Sequence, residues 1–259
     1  MIDITNSKFL KTDNKDTVIF IHGLGLSLDI WKNQVNFFKK SFNVLIYDLY
    51  GHGKSRFDNR RPSLEIYSEQ LKSLHDFYKI HESILVGFSL GGMIARHFCQ
   101  EYPQYVKKLV IMNSVHKRTI NQQKAVSLRA KKIKIFGPAY SIHNAITRWF
   151  TRKYIRDNPY TINKIKKIII ANEKRIYNLS YDVLVNEVDK IISPSPSISC
   201  PTLIITSDKD EGNNIEMAKK IKFEIPNSAL KIFKNVKHMA LIEIHVHVNK
   251  TLESFLKNK

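Results

Sequence analysis

Acidic residues, cysteines and long apolar runs are all scarce in this chain, and each shortage removes a class of protein. Only two cysteines occur, Cys99 and Cys200, far apart in 259 residues. That is too few for a disulfide framework and matches no metal-ligand spacing, which predicts a reduced, cytoplasmic protein. No apolar stretch approaches the roughly 20 residues of a membrane span. The opening residues Met1 to Lys8 lack an apolar signal core, so secretion through a cleaved peptide is not expected. Acidic residues number 23 against 42 lysines and arginines, leaving a formal net charge of +19. Such an excess raises a nucleic-acid or anionic-membrane partner. No recognised nucleic-acid motif accompanies it, so nucleic acid is not expected, and lysine on solvated faces is the plainer reading. Hydrophobic residues make up 43% of the chain, enough for a real core.

The charge is unevenly spread. Residues 115–192 hold 17 lysines and arginines against five acidic residues. This segment lacks strong strand runs and reads as three or four helices broken at Pro138 and Pro159. On either side, short apolar runs alternate with helical patterns. Strands are expected at Thr17 to Ile21, Phe42 to Tyr47, Glu82 to Val86 and Lys108 to Met112 before the segment, and at Pro201 to Ile205 and Ala229 to Phe233 after it. Helices are expected near 30–38, 64–78, 93–98, 214–222 and 244–256. Alternation at this spacing means βαβ units and a mainly parallel sheet. The division expected is a core built from residues 1–114 and 193–259, with a helical cap, 115–192, inserted between its parts. A linker-like stretch at 193–197 marks the return to the core.

Glycine is also rare, with nine in all, yet Gly87, Gly91 and Gly92 fall together in Gly87-Phe-Ser-Leu-Gly-Gly92. The pattern G-x-S-x-G between an expected strand and an expected helix is a nucleophile elbow. Glycines two before and two after the serine let the backbone reverse tightly, exposing the Ser89 oxygen above the sheet edge. The following helix points its N-terminus, with free N–H groups, at any anion formed there. A serine nucleophile needs a base and the base an orienting acid. His238 and Asp210 each follow a later strand, where ligands collect at the carboxyl edge of a parallel sheet. Asp208 is a rival acid in the same loop.

The order Ser89, Asp210, His238, with His22-Gly23 after the first long strand, Asp48 and Gly51 to Ser55, resembles the α/β-hydrolase superfamily over nearly the whole chain. Within it, Arg148 to Thr151 and Tyr177 to Asp189 are similar to segments of 3-oxoadipate enol-lactonases. The resemblance implies an α/β-hydrolase fold of about seven or eight strands with an inserted cap. It implies Ser89 as nucleophile, His238 as base and then acid, and Asp210 as the group holding the imidazole. It implies an oxyanion hole of the backbone N–H groups of Leu24 and Leu90, with no metal and no organic cofactor. The segment before Thr17 is too short for two long strands, so the first hairpin is expected to be short or partly missing.

The activity expected is hydrolysis of a carboxylic ester or lactone through an acyl-enzyme, with a small-molecule substrate. Carbon–carbon bond hydrolysis and thioester hydrolysis would use the same residues. A non-catalytic ligand-binding protein on the same scaffold is the reading from a different class. Ser89 stands where a haloalkane dehalogenase would carry a carboxylate. Trp149 and Phe150 are candidate pocket residues or, equally, packing aromatics. His22 and His52 read as turn residues. Asp48 reads as a satisfier of loop donors, with a minor alternative as substitute acid. The basic segment admits solvated helix faces, a docking surface for an acidic carrier or membrane, or attraction of an anionic substrate such as an enol-lactone carrying a carboxylate.

Overall fold

The computed structural model describes residues 1–13, 16–195 and 197–258. Position 196 of the expected linker lies outside them. Among the described residues seven strands form one sheet: β1 (Ser7–Leu10), β2 (Thr17–Ile21), β3 (Asn43–Tyr47), β4 (Ser83–Phe88), β5 (Val106–Met112), β6 (Thr202–Ser207) and β7 (Ser228–Phe233). Their order is β1-β3-β2-β4-β5-β6-β7, with β1 antiparallel to β3 and every other pair parallel. The expected short first hairpin is thus one strand, β1, which pairs with β3 across the sheet edge.

The helices follow from the same patterns. Before the insertion come α1 (Lys32–Phe38), α2 (Leu64–Tyr78) and α3 (Leu90–Glu101). Within it lie α4 (Ile120–Phe136), α5 (Ile142–Trp149), α6 (Arg152–Asp157), α7 (Pro159–Ile170) and α8 (Lys174–Asn186). After it come α9 (Ile215–Glu224), α10 (Ala240–Glu243) and α11 (His245–Lys257). Five α-helices therefore stand where the sequence predicts three or four. The extra breaks need no proline. Thr151 caps α6 by accepting from the Tyr154 N–H, and the Glu173 carboxylate caps α8 by accepting from Arg175 and Ile176. Both prolines instead open elements, Pro138 a 3-10 turn and Pro159 α7. The last helix expected at 244–256 is α11, preceded by the short α10 that the sequence reading did not include.

Strands β2 to β4 are buried at every position, which is why they read as unbroken apolar runs. Their alternate residues divide the core. Ile19, Leu45, Leu85 and Ile111 pack with residues of α2, α3 and α9, while Phe20, Ile46, Val86 and Val110 pack with residues of α1, α10 and α11. Edge strand β7 alternates in burial, as a strand covered on one face should. No helix among the described residues is long and apolar enough to cross a membrane. Cys99 and Cys200, distant in sequence, meet at the side of this core. Burial pushes the Cys99 thiol up, and a hydrogen bond between the two lowers that of Cys200.

Arg96, on α3, is fully buried and holds both ends of the inserted segment. It donates to the Val115 carbonyl where the chain enters and to the Ile191 carbonyl where it returns, and pairs with Glu224 of α9 at 3.3 Å. Burial lowers its guanidinium to about 10, against the attraction of Glu224. Glu224 also accepts from the Ser193 N–H and meets His116 Nε2 at 2.8 Å.

Close packing of α3 on the sheet depends on glycine. A Cβ on Gly91 would sit 2.2 Å from the Ile21 carbonyl oxygen, a backbone atom that has nowhere to retreat. Gly91→Ala is expected to lower stability by about 1–3 kcal/mol or more through overpacking, read as the urea unfolding midpoint. Gly212→Ala, whose added Cβ would meet only the Asp210 carboxylate at 3.6 Å, should shift that midpoint far less. Equal losses would show that the α3 contact is not the constraint.

Candidate active site

Strands β4, β5, β6 and β7 run parallel, so the chain leaves all four at one edge of the sheet. Ser89 follows β4 directly, with φ 55° and ψ −114°. A non-glycine residue in that region is strained, at a cost on the order of 1–3 kcal/mol, and must be held there by its surroundings. The Ser89 N–H donates to the Met112 carbonyl at 2.9 Å, and its own carbonyl accepts from Gly92 N–H at 3.0 Å and Ser114 Oγ at 2.9 Å. A Cβ on Gly87 would lie 2.3 Å from the Gly91 carbonyl oxygen. The turn can close only because both positions are glycine.

Asp210, four percent exposed, follows β6. Its Oδ2 accepts from His238 Nδ1 at 2.7 Å and from Asn113 Nδ2 at 2.9 Å, and its Oδ1 from the N–H groups of Gly212 and Asn213, each at 3.1 Å. Burial alone would raise this carboxyl. Attraction to His238 and the hydrogen bonds from His238, Asn113 and Asn213 outweigh it and hold the group below the usual carboxylate range. Asp208 makes no such contact. Its N–H donates to the Phe233 carbonyl, and its buried Oδ1 has no partner among the described residues. His238 lies against Phe88, with ring centroids 4.8 Å apart, and against Trp149 at 6.1 Å. The Met239 N–H donates to the Trp149 carbonyl, fixing α5 to the histidine loop.

Ser89, Asp210 and His238 line one cavity of about 270 Å³. Gly23 and Leu24 form another part of its wall. Neither the Leu24 nor the Leu90 N–H donates to another described residue, and Leu90 opens α3 beside the serine. His22 fixes the loop that carries Leu24: Nδ1 donates to the Gly23 carbonyl at 2.8 Å while Nε2 accepts from the Leu49 N–H at 2.9 Å. Asp48 is spent on structure, accepting from Leu28 N–H, Lys54 N–H and Asn6 Nδ2.

Of the two aromatics read as pocket candidates, Trp149 lines the cavity and Phe150 does not. Phe150 is wholly buried and stacks on Tyr154 at 5.3 Å. Phe150 lies just past the end of α5 and packs in the apolar cluster that holds Ile146 and Ile162. Other walls escape the sequence reading: Arg118, Arg129, Tyr177 and Tyr181 from the insertion, and Asn213 from the acid loop. Asn113 is missed too. Its sequence signal is an asparagine directly after a strand, and it takes the left-handed φ of 45° that asparagine tolerates. No group of three His, Cys, Asp or Glu side chains suited to a metal ion occurs among the described residues.

The alpha/beta hydrolase fold family matches residues 16–133. The chain is 24% identical to 3-oxoadipate enol-lactonase 2 of Acinetobacter baylyi, over 94% of this chain and 90% of that one. It is 24% identical to (E)-2-((N-methylformamido)methylene)succinate hydrolase of the same organism, over 93% and 90%. The crystal structure of the enol-lactonase from Burkholderia xenovorans LB400 superposes with a TM-score of 0.89 at 20% identity, covering 98% of this chain and 96% of that one.

Burial makes two of the histidines sensors of acid. Desolvation lowers His22 to about 4, opposed by its bond to Gly23, and lowers His52 to about 3, aided by His22. As pH falls below 6.5 the unfolded chain takes up protons at these rings before the folded one does, so stability is lost. The loss should approach about 1.4 kcal/mol per ring per pH unit until pH nears the folded values. Urea unfolding between about pH 7 and pH 5 should show it, with a shallower slope in His52→Gln. An unchanged slope in that variant would mean His52 titrates normally.

Proposed function

We propose, from the premise that this chain belongs to the α/β-hydrolase superfamily, that it is a serine hydrolase of small carboxylic esters or lactones. The observation that carries this reading is the buried Asp210–His238 pair sharing a cavity with Ser89 at its strained turn. Asp210 keeps the His238 Nδ1 proton in place, which leaves Nε2 as the basic nitrogen. Ser89 Oγ attacks the substrate carbonyl carbon as Nε2 takes its proton. The carbonyl π electrons move to oxygen, and the Leu24 and Leu90 N–H groups donate to that oxyanion. Collapse breaks the carbon–oxygen bond to the leaving group. The departing alkoxide or enolate takes the proton from His238 and leaves Ser89 acylated. Water then gives a proton to Nε2, attacks the acyl carbon and releases the acid, and Ser89 recovers its proton.

Residues 115–192 act in this reading as a cap that sets substrate size. A cavity of about 270 Å³ lies at the small end of ligand sites, favouring short acyl groups. The names its relatives bear, an enol-lactonase and a hydrolase of a succinate derivative, make lactones and esters of small acids the first panel to try.

Wild-type protein should release a burst of nitrophenolate from p-nitrophenyl acetate, and Ser89→Ala should abolish it. His238→Ala should lower turnover by roughly 10⁴-fold, comparable to Ser89→Ala because the members act as a unit. A burst unchanged in Ser89→Ala would overturn the assignment of the nucleophile, and wild-type turnover in His238→Ala that of the base.

A further inference from the structure

Three arginines of the insertion, Arg118 before α4, Arg129 on α4 and Arg148 on α5, line the cavity that holds Ser89 and His238. Among the described residues none of the three forms an ion pair with a carboxylate, whereas Arg96, which is fully buried, pairs with Glu224. Two acidic side chains share the cavity wall. Asp210 is committed to His238, Asn113 and two backbone donors, and Glu211 is exposed at the rim.

Their hydrogen bonds rank the three. Arg118 is anchored: one terminal nitrogen donates to the Leu184 carbonyl at 3.0 Å and the other, at 3.4 Å, to the Val185 carbonyl, both at the C-terminal end of α8. That is the favourable end of a helix dipole for a cation. Arg148 uses only Nε, on the Asn144 carbonyl one turn back, leaving both terminal nitrogens of its fork uncommitted. Arg129 has no side-chain hydrogen bond or ion pair at all among the described residues.

Half-burying three like charges around one small cavity is costly without a counter-charge. Burial lowers the guanidinium of Arg118 to about 10, and it lowers that of Arg148; in each, repulsion from Arg129 adds to the effect. Solvated decoration does not account for this arrangement, since the cations face a cavity and each other. A bound anion would relieve it, and a planar fork matches a carboxylate in two-point contact.

We propose that Arg129 and Arg148, with Arg118 behind them, form an anion subsite that selects esters or lactones bearing a second, free carboxylate remote from the scissile carbonyl. This deepens the hydrolase reading and rests on it for the identity of the reacting bond. Binding of the carboxylate itself does not depend on that reading.

The test has a kinetic and a binding arm. In the first, 4-nitrophenyl hydrogen glutarate is compared with its methyl-capped diester, which has the same chain without the charge. Wild-type kcat/KM should favour the free acid about tenfold or more at low salt, with the preference shrinking as salt is added. Arg129→Gln and Arg148→Gln should each reduce that ratio by about tenfold, chiefly through KM, and Arg148→Lys by less, since it keeps the charge but not the fork. In the second arm, glutarate is titrated calorimetrically into Ser89→Ala, with and without Arg129→Gln.

Saturable glutarate binding that weakens in Arg129→Gln supports the subsite, even if neither ester is turned over; in that case the hydrolase reading alone fails. Turnover of both esters with a ratio near one, unmoved by either arginine variant, overturns the subsite and leaves the hydrolase reading standing. Absence of glutarate binding, or binding indifferent to Arg129, also overturns it.

Discussion

Ser89 can sit at φ 55° because strand β4 turns into α3 within a space that admits only glycine on either side. Much else is positioned from that turn. Its N–H is tied to Met112, so the serine is locked to the end of the neighbouring strand β5. Directly after β5, Asn113 reaches the carboxylate that follows β6. The carboxylate in turn fixes the imidazole that follows β7. A chain of contacts thus passes from strand to strand across the carboxyl edge. Each step is made possible by the parallel register, which delivers the four loops to one side. Strain at the serine persists because the packed sheet and helix around it over-determine its conformation.

Electrostatics complete the arrangement. A carboxylate as buried as Asp210 would ordinarily be pushed toward its neutral form. Four donors prevent this, and three of them are not the histidine. The acid therefore stays charged independently of the substrate, with the imidazole as its hydrogen-bonded charge partner. Asp48, equally buried, illustrates the contrast. Its oxygens are consumed by Leu28, Lys54 and Asn6, which makes it a brace for the loop after β3. The two acids differ in the company their donors keep more than in depth.

The parts legible in the sequence are those whose signal is local. Thr17 to Ile21 and Phe42 to Tyr47 are apolar runs rich in β-branched and aromatic residues, and buried strands produce that pattern wherever they occur. The glycine spacing around Ser89 is local as a pattern, and the Gly87 clash falls within it on Gly91, although the Gly91 clash is with Ile21 of another strand. Helix breaks made by side-chain caps at Thr151 and Glu173 were less visible, because a threonine or glutamate carries many meanings in a helix-rich stretch. Asn113 and Arg129 were not visible at all. Asn113 gains its meaning from Asp210, nearly a hundred residues later, and Arg129 from a cavity whose opposite wall is built by the sheet. Choosing between Trp149 and Phe150 required the packing at the C-terminal end of α5, which only the tertiary structure sets.

The charge of the chain now divides into two populations with different physics. Lysines along α4 and α7, such as Lys131, Lys132 and Lys167, stand in water, where screening leaves each with little energetic consequence. Arginines facing the cavity are partly removed from water and lack carboxylate partners, so their mutual repulsion is less screened. A net charge of +19 says nothing about which of these dominates, because the formal sum weights a solvated lysine and a half-buried arginine equally. Position supplies the weighting. Lysine is strongly hydrated and tolerates the surface at small cost, whereas a guanidinium fork, weakly hydrated and planar, is the cation suited to partial burial beside a carboxylate. That the cations facing the cavity are all arginine, while every lysine of the insertion lies outside its wall, is therefore a distinction of chemistry, and the cavity inherits its polarity from a few side chains rather than from the basic character of the chain.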